Sequence, residues 1–325
     1  MYSLLLVDYN SASATIGYIR RFLHATSTSD VHHIVMVENG DPSIALTQLV
    51  QEYGAYKSIS CEGICQPLYL FEQGENQIVY CPSGSNLGYA KGNNLCAEIA
   101  QKLWSDPYYI VSNNDIDFES SFDLNIAKTL FDANPTIGAL GPQVVTPIGE
   151  QQSPHKWISA YRRLIVFIWL CALSNMISQE KYRKLRASYC EDICYDANTG
   201  PCGWISGCLF ILRAEAFHQA GMFDPYTFLY AEEPILSRRL ELAGYSVWFC
   251  KEIKVIHRHA QTTKNAISRL KIFELDFQSI YYYYKTYTDT PNFVLLLARL
   301  NFTLYKLGHK LWYALKSLRS GRKDL

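Results

Sequence analysis

Four short apolar runs in the first third of the chain each end in a cluster of amides, acids or glycines. Ser3 to Tyr9 stops at Asn10, His33 to Val37 stops at Glu38-Asn39-Gly40-Asp41, Gln77 to Cys81 leads into "SNLGYAKGNN", and Tyr108 to Ser112 leads into "NNDID". Runs of this length and composition predict strands. Ala14 to Ala25 and Leu95 to Trp104 carry helical spacing between them, so the pattern alternates strand and helix and predicts an open, mostly parallel sheet. Ligands of such sheets lie beyond the carboxyl ends of the strands, where all four polar clusters fall. The clusters are expected to form one cleft.

The last of them contains Asn113, Asn114, Asp115 and Asp117. Carboxylates at the end of a buried strand are costly unless a cation or hydrogen bonds compensate them, which points to a cleft and a metal. Asp117 is expected to cap a helix around Phe122 to Phe131. Further on, "FLYAEEPILSRRLELAGY" predicts a helix with Pro234 in its first turn and Gly244 as its stop, which places Glu232 and Glu233 at its start. Two acids there complement the helix dipole whatever else they do. His257 follows a predicted strand, Glu252 to Ile256, and His259 would share its face in an extended chain, where a separate zinc pair is the alternative to a single ligand.

Composition narrows the class. The chain has 325 residues and is 49% apolar, enough for one large α/β domain with or without an appendage. Thirty basic residues balance thirty acidic ones, so no overall field attracts nucleic acid. Ten cysteines without an amino-terminal signal sequence fit a reducing, cytoplasmic setting. Cys190, Cys194, Cys202 and Cys208 lack the paired spacing of a zinc ribbon. Leu164 to Ile177 is shorter than the roughly 20 apolar residues that span a bilayer, which leaves a buried or interfacial helix. The tail, Phe293 to Leu325, sets Leu, Phe, Tyr and Trp against Lys and Arg at helical spacing. Such a tail can lie on an anionic membrane surface, pack on its own domain, or join a second subunit in a homodimer.

Taken in order, Tyr9-Asn10, Glu38-Asn39-Gly40-Asp41, Asn86 to Asn94, Asn113-Asn114-Asp115 and the block from "GWISG" to "HRHAQT" resemble the family 2 glycosyltransferases. These are inverting enzymes of GT-A fold and include rhamnosyl- and galactofuranosyltransferases. The resemblance covers roughly residues 3 to 263. It implies a Rossmann-like nucleotide-diphospho-sugar transferase fold over residues 1–265, with a nucleotide-sugar and metal half (1–120), an acceptor and catalytic-base half (121–265), and a C-terminal helical extension (266–325).

The resemblance also implies roles. Tyr9, Asn10, Glu38, Asn39 and Asn114 would face the nucleotide sugar, with Glu38 accepting the N–H of a uracil or thymine ring. Asn86, Gly88, Gly92 and Asn93 would let backbone approach it, with Lys91 a phosphate partner. Asp115 and His257 would hold Mg2+ or Mn2+ against the diphosphate. Glu233 would be the base, with Glu232 second, and Trp204, Gly207 and Asp224 would line the acceptor side. The chain departs from the family in having Glu233 for the usual Asp and Ile235 where a further acid is common. The function implied is transfer of a sugar from a UDP- or dTDP-linked donor to a glycan or lipid-linked oligosaccharide in surface polysaccharide synthesis, in the cytoplasm or at the inner face of the cell membrane. The alternative is a non-catalytic nucleotide- or carbohydrate-binding relative.

Overall fold

The first apolar run forms β1 (Tyr2–Asp8), buried at all but one position in the computed structural model. A strand covered on both faces belongs inside a sheet. Leu4 and Leu6 point into one apolar cluster and Leu5 into the other, as strand alternation requires. The structure describes residues 1–26, 31–173, 177–190, 192–258 and 269–320. Its described residues divide into two units, residues 1–156 with 193–279 and residues 157–192 with 280–325.

The first unit holds the sheet. Its strands are β1, β2 (Val31–Glu38), β3 (Lys57–Ile59), β4 (Leu68–Gln73), β5 (Asn76–Pro82), β6 (Tyr108–Ser112), β7 (Ile116–Phe118), β8 (Ile137–Val145), β9 (Gly200–Pro201), β10 (Leu209–Arg213) and β11 (Ser246–His257). The order is β3-β4-β5-β2-β1-β6-β10-β8-β11-β7, with β9 added beside β11. Neighbours in the central set β5-β2-β1-β6 run parallel. β10 enters antiparallel between β6 and β8, so the sheet as a whole is mixed. The four strands predicted in the first part of the chain are this central parallel set, and their polar ends share one edge.

Helices cover both faces. α1 (Ala12–Ala25), α2 (Pro42–Tyr53) and α4 (Leu124–Ala133) bury Tyr18, Phe22, Leu49 and Phe131 on one side. α3 (Gly88–Leu103), α7 (Ala214–Gln219) and α8 (Glu232–Leu242) bury Cys96, Ile99, Phe217 and Leu240 on the other. α3 starts seven residues before the expected helix at Leu95, so the glycine-rich stretch supplies its first turns rather than a loop. The reason is packing: a Cβ on Gly92 would lie 2.9 Å from a Val7 methyl, so a glycine lets α3 sit down on β1.

A second correction concerns Asp117. α4 is capped by Asp123, whose carboxylate accepts from Asn125 N at 2.8 Å. Asp117 instead lies in β7 opposite Ile256, paired with Arg258 and, at 3.2 Å, with Arg21.

The second unit is helical. Tyr161–Val166 is a π-helical stretch that runs on into α5 (Phe167–Leu173), followed by α6 (Gln179–Cys190). The C-terminal helices are α9 (Arg269–Tyr287), which begins in the first unit, and α10 (Asn292–Ser320). Tyr284 OH donates to Ile158 O at 2.6 Å and Asn301 Nδ2 to Ile165 O at 3.3 Å, which tie the internal segment to the C-terminal one. The expected helix at Leu164 to Ile177 is present to Leu173, and residues 174–176 lie outside the described residues. So do His259 and the last five residues of the tail. No described helix is long and apolar enough to cross a membrane.

Candidate active site

The site begins at the end of β1. Asp8 is fully buried, and its carboxylate accepts from Ser11 N at 2.9 Å, Ser11 Oγ at 2.6 Å, Thr15 Oγ1, and Asn114 Nδ2 at 3.3 Å. Asn114 Nδ2 also reaches Ser11 Oγ and Thr15 Oγ1 at 3.0 and 2.8 Å. The amide after β6 is therefore fastened to the turn after β1.

Glu38 lies beside Asp8 in register. Its Oε1 accepts from Asn10 N at 3.1 Å and Gly40 N at 2.6 Å. Burial, and then the adjoining Asp8 carboxylate to which it is hydrogen-bonded, push Glu38 up to about 8. The pair thus holds a proton at neutral pH. Asn10 adopts a left-handed φ of 54° and turns its Oδ1 to accept from Asp41 N at 2.7 Å. A Cβ on Gly40 would lie 2.2 Å from that Oδ1, so only glycine fits there. Tyr9 is exposed beside this turn. Asn39 Nδ2 donates to Gly88 O at 3.2 Å, joining the second cluster to the third.

The third cluster is partly closed to a ligand. Asn86 Oδ1 accepts from Gly88 N at 3.0 Å, and Lys91 is exposed. Gly92 and Asn93 are buried inside α3, with Asn93 Nδ2 bonded to Tyr89 O at 3.0 Å. Gly88 has φ 75°, and Tyr89 N donates to Phe228 O at 3.1 Å, so the loop before α8 rests on the start of α3.

Asp115 follows β6. Its Oδ2 lies 3.3 Å from His257 Nε2, and His257 Nδ1 is 2.9 Å from Gln152 Oε1. β7 pairs with β11, which places Ile116 opposite His257 and so brings Asp115 and His257, 142 positions apart in sequence, together. Gln152, which sequence reasoning missed, fixes the ring from behind; no local signal marks it. Asp8 was missed too, although an acid closing a buried strand was a visible sign. Among the described residues no three His, Cys, Asp or Glu side chains form a metal cluster. Asp115 and His257 set one oxygen and one nitrogen donor side by side, a pair that could contribute to holding a divalent cation.

Glu232 and Glu233 open α8, entered through Tyr230 at φ 73° and Ala231 at φ 64°. Two consecutive left-handed residues without glycine are strained, and such strain collects at functional sites. Glu232 is buried and its Oε1 has no hydrogen-bond partner. Burial and then the Glu233 charge push it up to about 8. Glu233 is half-buried and lies directly over Gly207. Tyr89 OH donates to Gly207 O at 2.7 Å, anchoring that glycine to α3. Burial pushes the Cys208 thiol up to about 12. Cys208 O accepts from Asn113 N at 2.9 Å while the preceding Gly207 lies under Glu233, so this stretch of chain runs between the turn after β6 and the start of α8.

The other acceptor-side residues have structural contacts. Asp224 Oδ1 accepts from Tyr226 N at 2.9 Å, and its Oδ2 lies 3.8 Å from Arg239. Trp204 stacks on His155 at 3.6 Å between ring centres.

No family model matches the chain. Over 198 residues it is 29% identical to N-acetylglucosaminyl-diphospho-decaprenol L-rhamnosyltransferase of Mycobacterium tuberculosis, covering 56% of this chain and 59% of the relative. The chain thus spans about three-fifths of that relative. Rhamnosyltransferase WbbL of Escherichia coli is 22% identical over 244 residues, covering 74% and 78% of the two chains. The crystal structure of GalNAc-T7 with UDP, GalNAc and Mn2+ superposes with a TM-score of 0.51 at 13% identity, over 80% of this chain and 44% of that one. The fold is that of the GT-A glycosyltransferases, and the two relatives similar in sequence are both rhamnosyltransferases.

Proposed function

We propose that the chain is a metal-dependent inverting glycosyltransferase that moves a sugar from a nucleoside diphosphate donor to a hydroxyl of a glycan or lipid-linked acceptor. The observation that carries this reading is the arrangement of Asp115, His257 and Glu233: Asp115 Oδ2 lies 3.3 Å from His257 Nε2, and Glu233 lies over Gly207, next to Cys208, whose carbonyl accepts from Asn113 N at 2.9 Å. Tyr9, Asn10 and Asn39 line the donor side, and exposed Lys91 offers a cation to phosphate. Glu38 spends Oε1 on the turns after β1 and β2, so it shapes this wall as well as offering a contact to the base.

Asp115 and His257 would hold the divalent cation, which when bound neutralises charge on the departing diphosphate. Glu233 takes the proton of the acceptor hydroxyl as its oxygen bonds to the anomeric carbon and the nucleoside diphosphate leaves. One displacement inverts the anomeric centre. Burial, and then the charge of Glu233, make Glu232 a weaker acid than an ordinary carboxyl, which suits it to a supporting place beside Glu233. The names of the relatives support a rhamnosyl-type donor and an acceptor carried on a polyprenyl diphosphate; surface polysaccharide synthesis at the inner face of the cell membrane is the setting that the proposal gives to this transfer. Residues 1–120 would serve the donor and 121–265 the acceptor.

The test is release of nucleoside diphosphate from a panel of UDP- and dTDP-sugars, with Mn2+ or with a chelator. Acceptor-dependent, chelator-sensitive release supports the reading. Nucleotide binding without transfer from any donor would instead establish the non-catalytic relative.

A further inference from the structure

α10 has two apolar faces. Leu295, Ala298 and Phe302 are buried in their own unit, as an amphipathic helix requires. Phe293, Leu296, Leu297, Leu300, Leu304 and Leu307 are 49 to 65% exposed. At 3.6 residues per turn these six fall within an arc of about 100° on the opposite side. Arg299 and Lys310 are exposed on the flank between the two faces. A large exposed apolar stripe on a helix marks a surface that something covers.

Charge indicates what covers it. The unit of residues 157–192 and 280–325 contains fourteen of the thirty Lys and Arg residues but only five of the thirty Asp and Glu, a net charge of +9. The other unit carries −9, so the neutral total conceals a strongly cationic helical unit. Self-association through this stripe would bring two such units together against their mutual repulsion. An anionic surface faces no such cost. The unit also exposes Tyr161 and Trp169, side chains with an apolar body and a polar edge suited to the headgroup level.

We propose that the helical unit docks on an anionic phospholipid surface, with the Phe293–Leu307 stripe of α10 entering the headgroup and acyl boundary and its basic flank meeting the headgroups. Docking does not depend on the transfer reaction. For an acceptor carried on a membrane lipid it confines enzyme and acceptor to one surface.

The full chain is sedimented with vesicles of phosphatidylcholine alone and of an equal mixture with phosphatidylglycerol. Binding to the mixture, weakened by salt and absent from phosphatidylcholine, is expected. Leu296→Glu/Leu300→Glu/Leu304→Glu should lower the vesicle partition at least about tenfold, with its circular dichroism and nucleotide release on a soluble acceptor unchanged. Arg299→Glu/Lys310→Glu should lower it about as far through charge alone. Absence of wild-type binding, or equal binding by the triple variant, overturns the proposal. So does a concentration-dependent dimer that the triple variant dissolves without change in vesicle binding, which would assign the stripe to a second copy. A chain that transfers no sugar yet binds vesicles in this pattern keeps the docking surface and loses only the enzymatic reading.

Discussion

Gly207 lies directly under Glu233: a Cβ added to the glycine would stand 2.5 Å from Oε1 of the glutamate and 2.9 Å from its Cδ. The absence of a side chain at this position therefore leaves the space that the Glu233 carboxylate occupies. Gly207→Ala forces the carboxylate aside by roughly an ångström. Turnover should fall about a hundredfold, the scale of such misplacements, with donor affinity kept. Single-turnover and donor-binding measurements check it; wild-type turnover would mean that Glu233 does not work from this position.

Glu233→Gln keeps the shape and removes the proton acceptor. The expected loss is about 10²- to 10⁴-fold in kcat, the range of general-base contributions, with little change in donor dissociation constant. Glu232→Gln should cost far less, since a group that is already protonated at neutral pH loses little on becoming an amide.

Glu232 also gives a stability signature. Its folded pKa of about 8 lies above the ordinary 4.5, so the native state binds a proton that the unfolded chain releases. Stability from this group is complete below the ordinary value and is lost as pH rises through about 8. Glu38 acts in the same direction, so the informative quantity is a difference. The melting temperature of Glu232→Gln minus that of wild type should grow between pH 5 and pH 9. A difference flat with pH would show that Glu232 is ionised in the fold.

Asp115→Ala should abolish nearly all transfer and weaken Mn2+ binding while the fold persists. Gln152→Ala leaves both ligands in place but frees the His257 ring, and loss of such an outer partner typically weakens metal about 10- to 100-fold. Calorimetric titration of Mn2+ into the two variants separates ligand from positioner, for added Mn2+ should restore turnover in the second alone.

The sequence made the polar strand ends legible because their signals are local. An apolar run that ends in Asn10, Glu38 or Asn114 marks a strand end, and parallel packing brings such ends to one edge. Convergence across the sheet was not legible by spacing. Asp115 meets His257 only because β7 turns back onto β11, and Asp117 meets Arg258 across the same ladder, which made a helix cap the natural expectation. Gly92 belonged to a loop by composition and to a helix by packing, since the contact that needs a glycine is with Val7, on another strand. The joining of residues 157–192 to the C-terminal helices likewise has no local sign.

The position of β10 matters before the protein is finished. Ser112 at the end of β6 pairs with Leu209, so the ribosome must add nearly a hundred residues after β6 before that edge is closed. At about 5–20 residues per second the interval is roughly 5 to 20 seconds. Through it the nascent chain already has the six strands β3-β4-β5-β2-β1-β6, whose unpaired backbone edge includes Tyr109, Ile110 and Val111, a template for pairing with other chains. The antiparallel strand that follows Gly207 and Cys208 is thus also the piece that takes this edge out of reach of other chains.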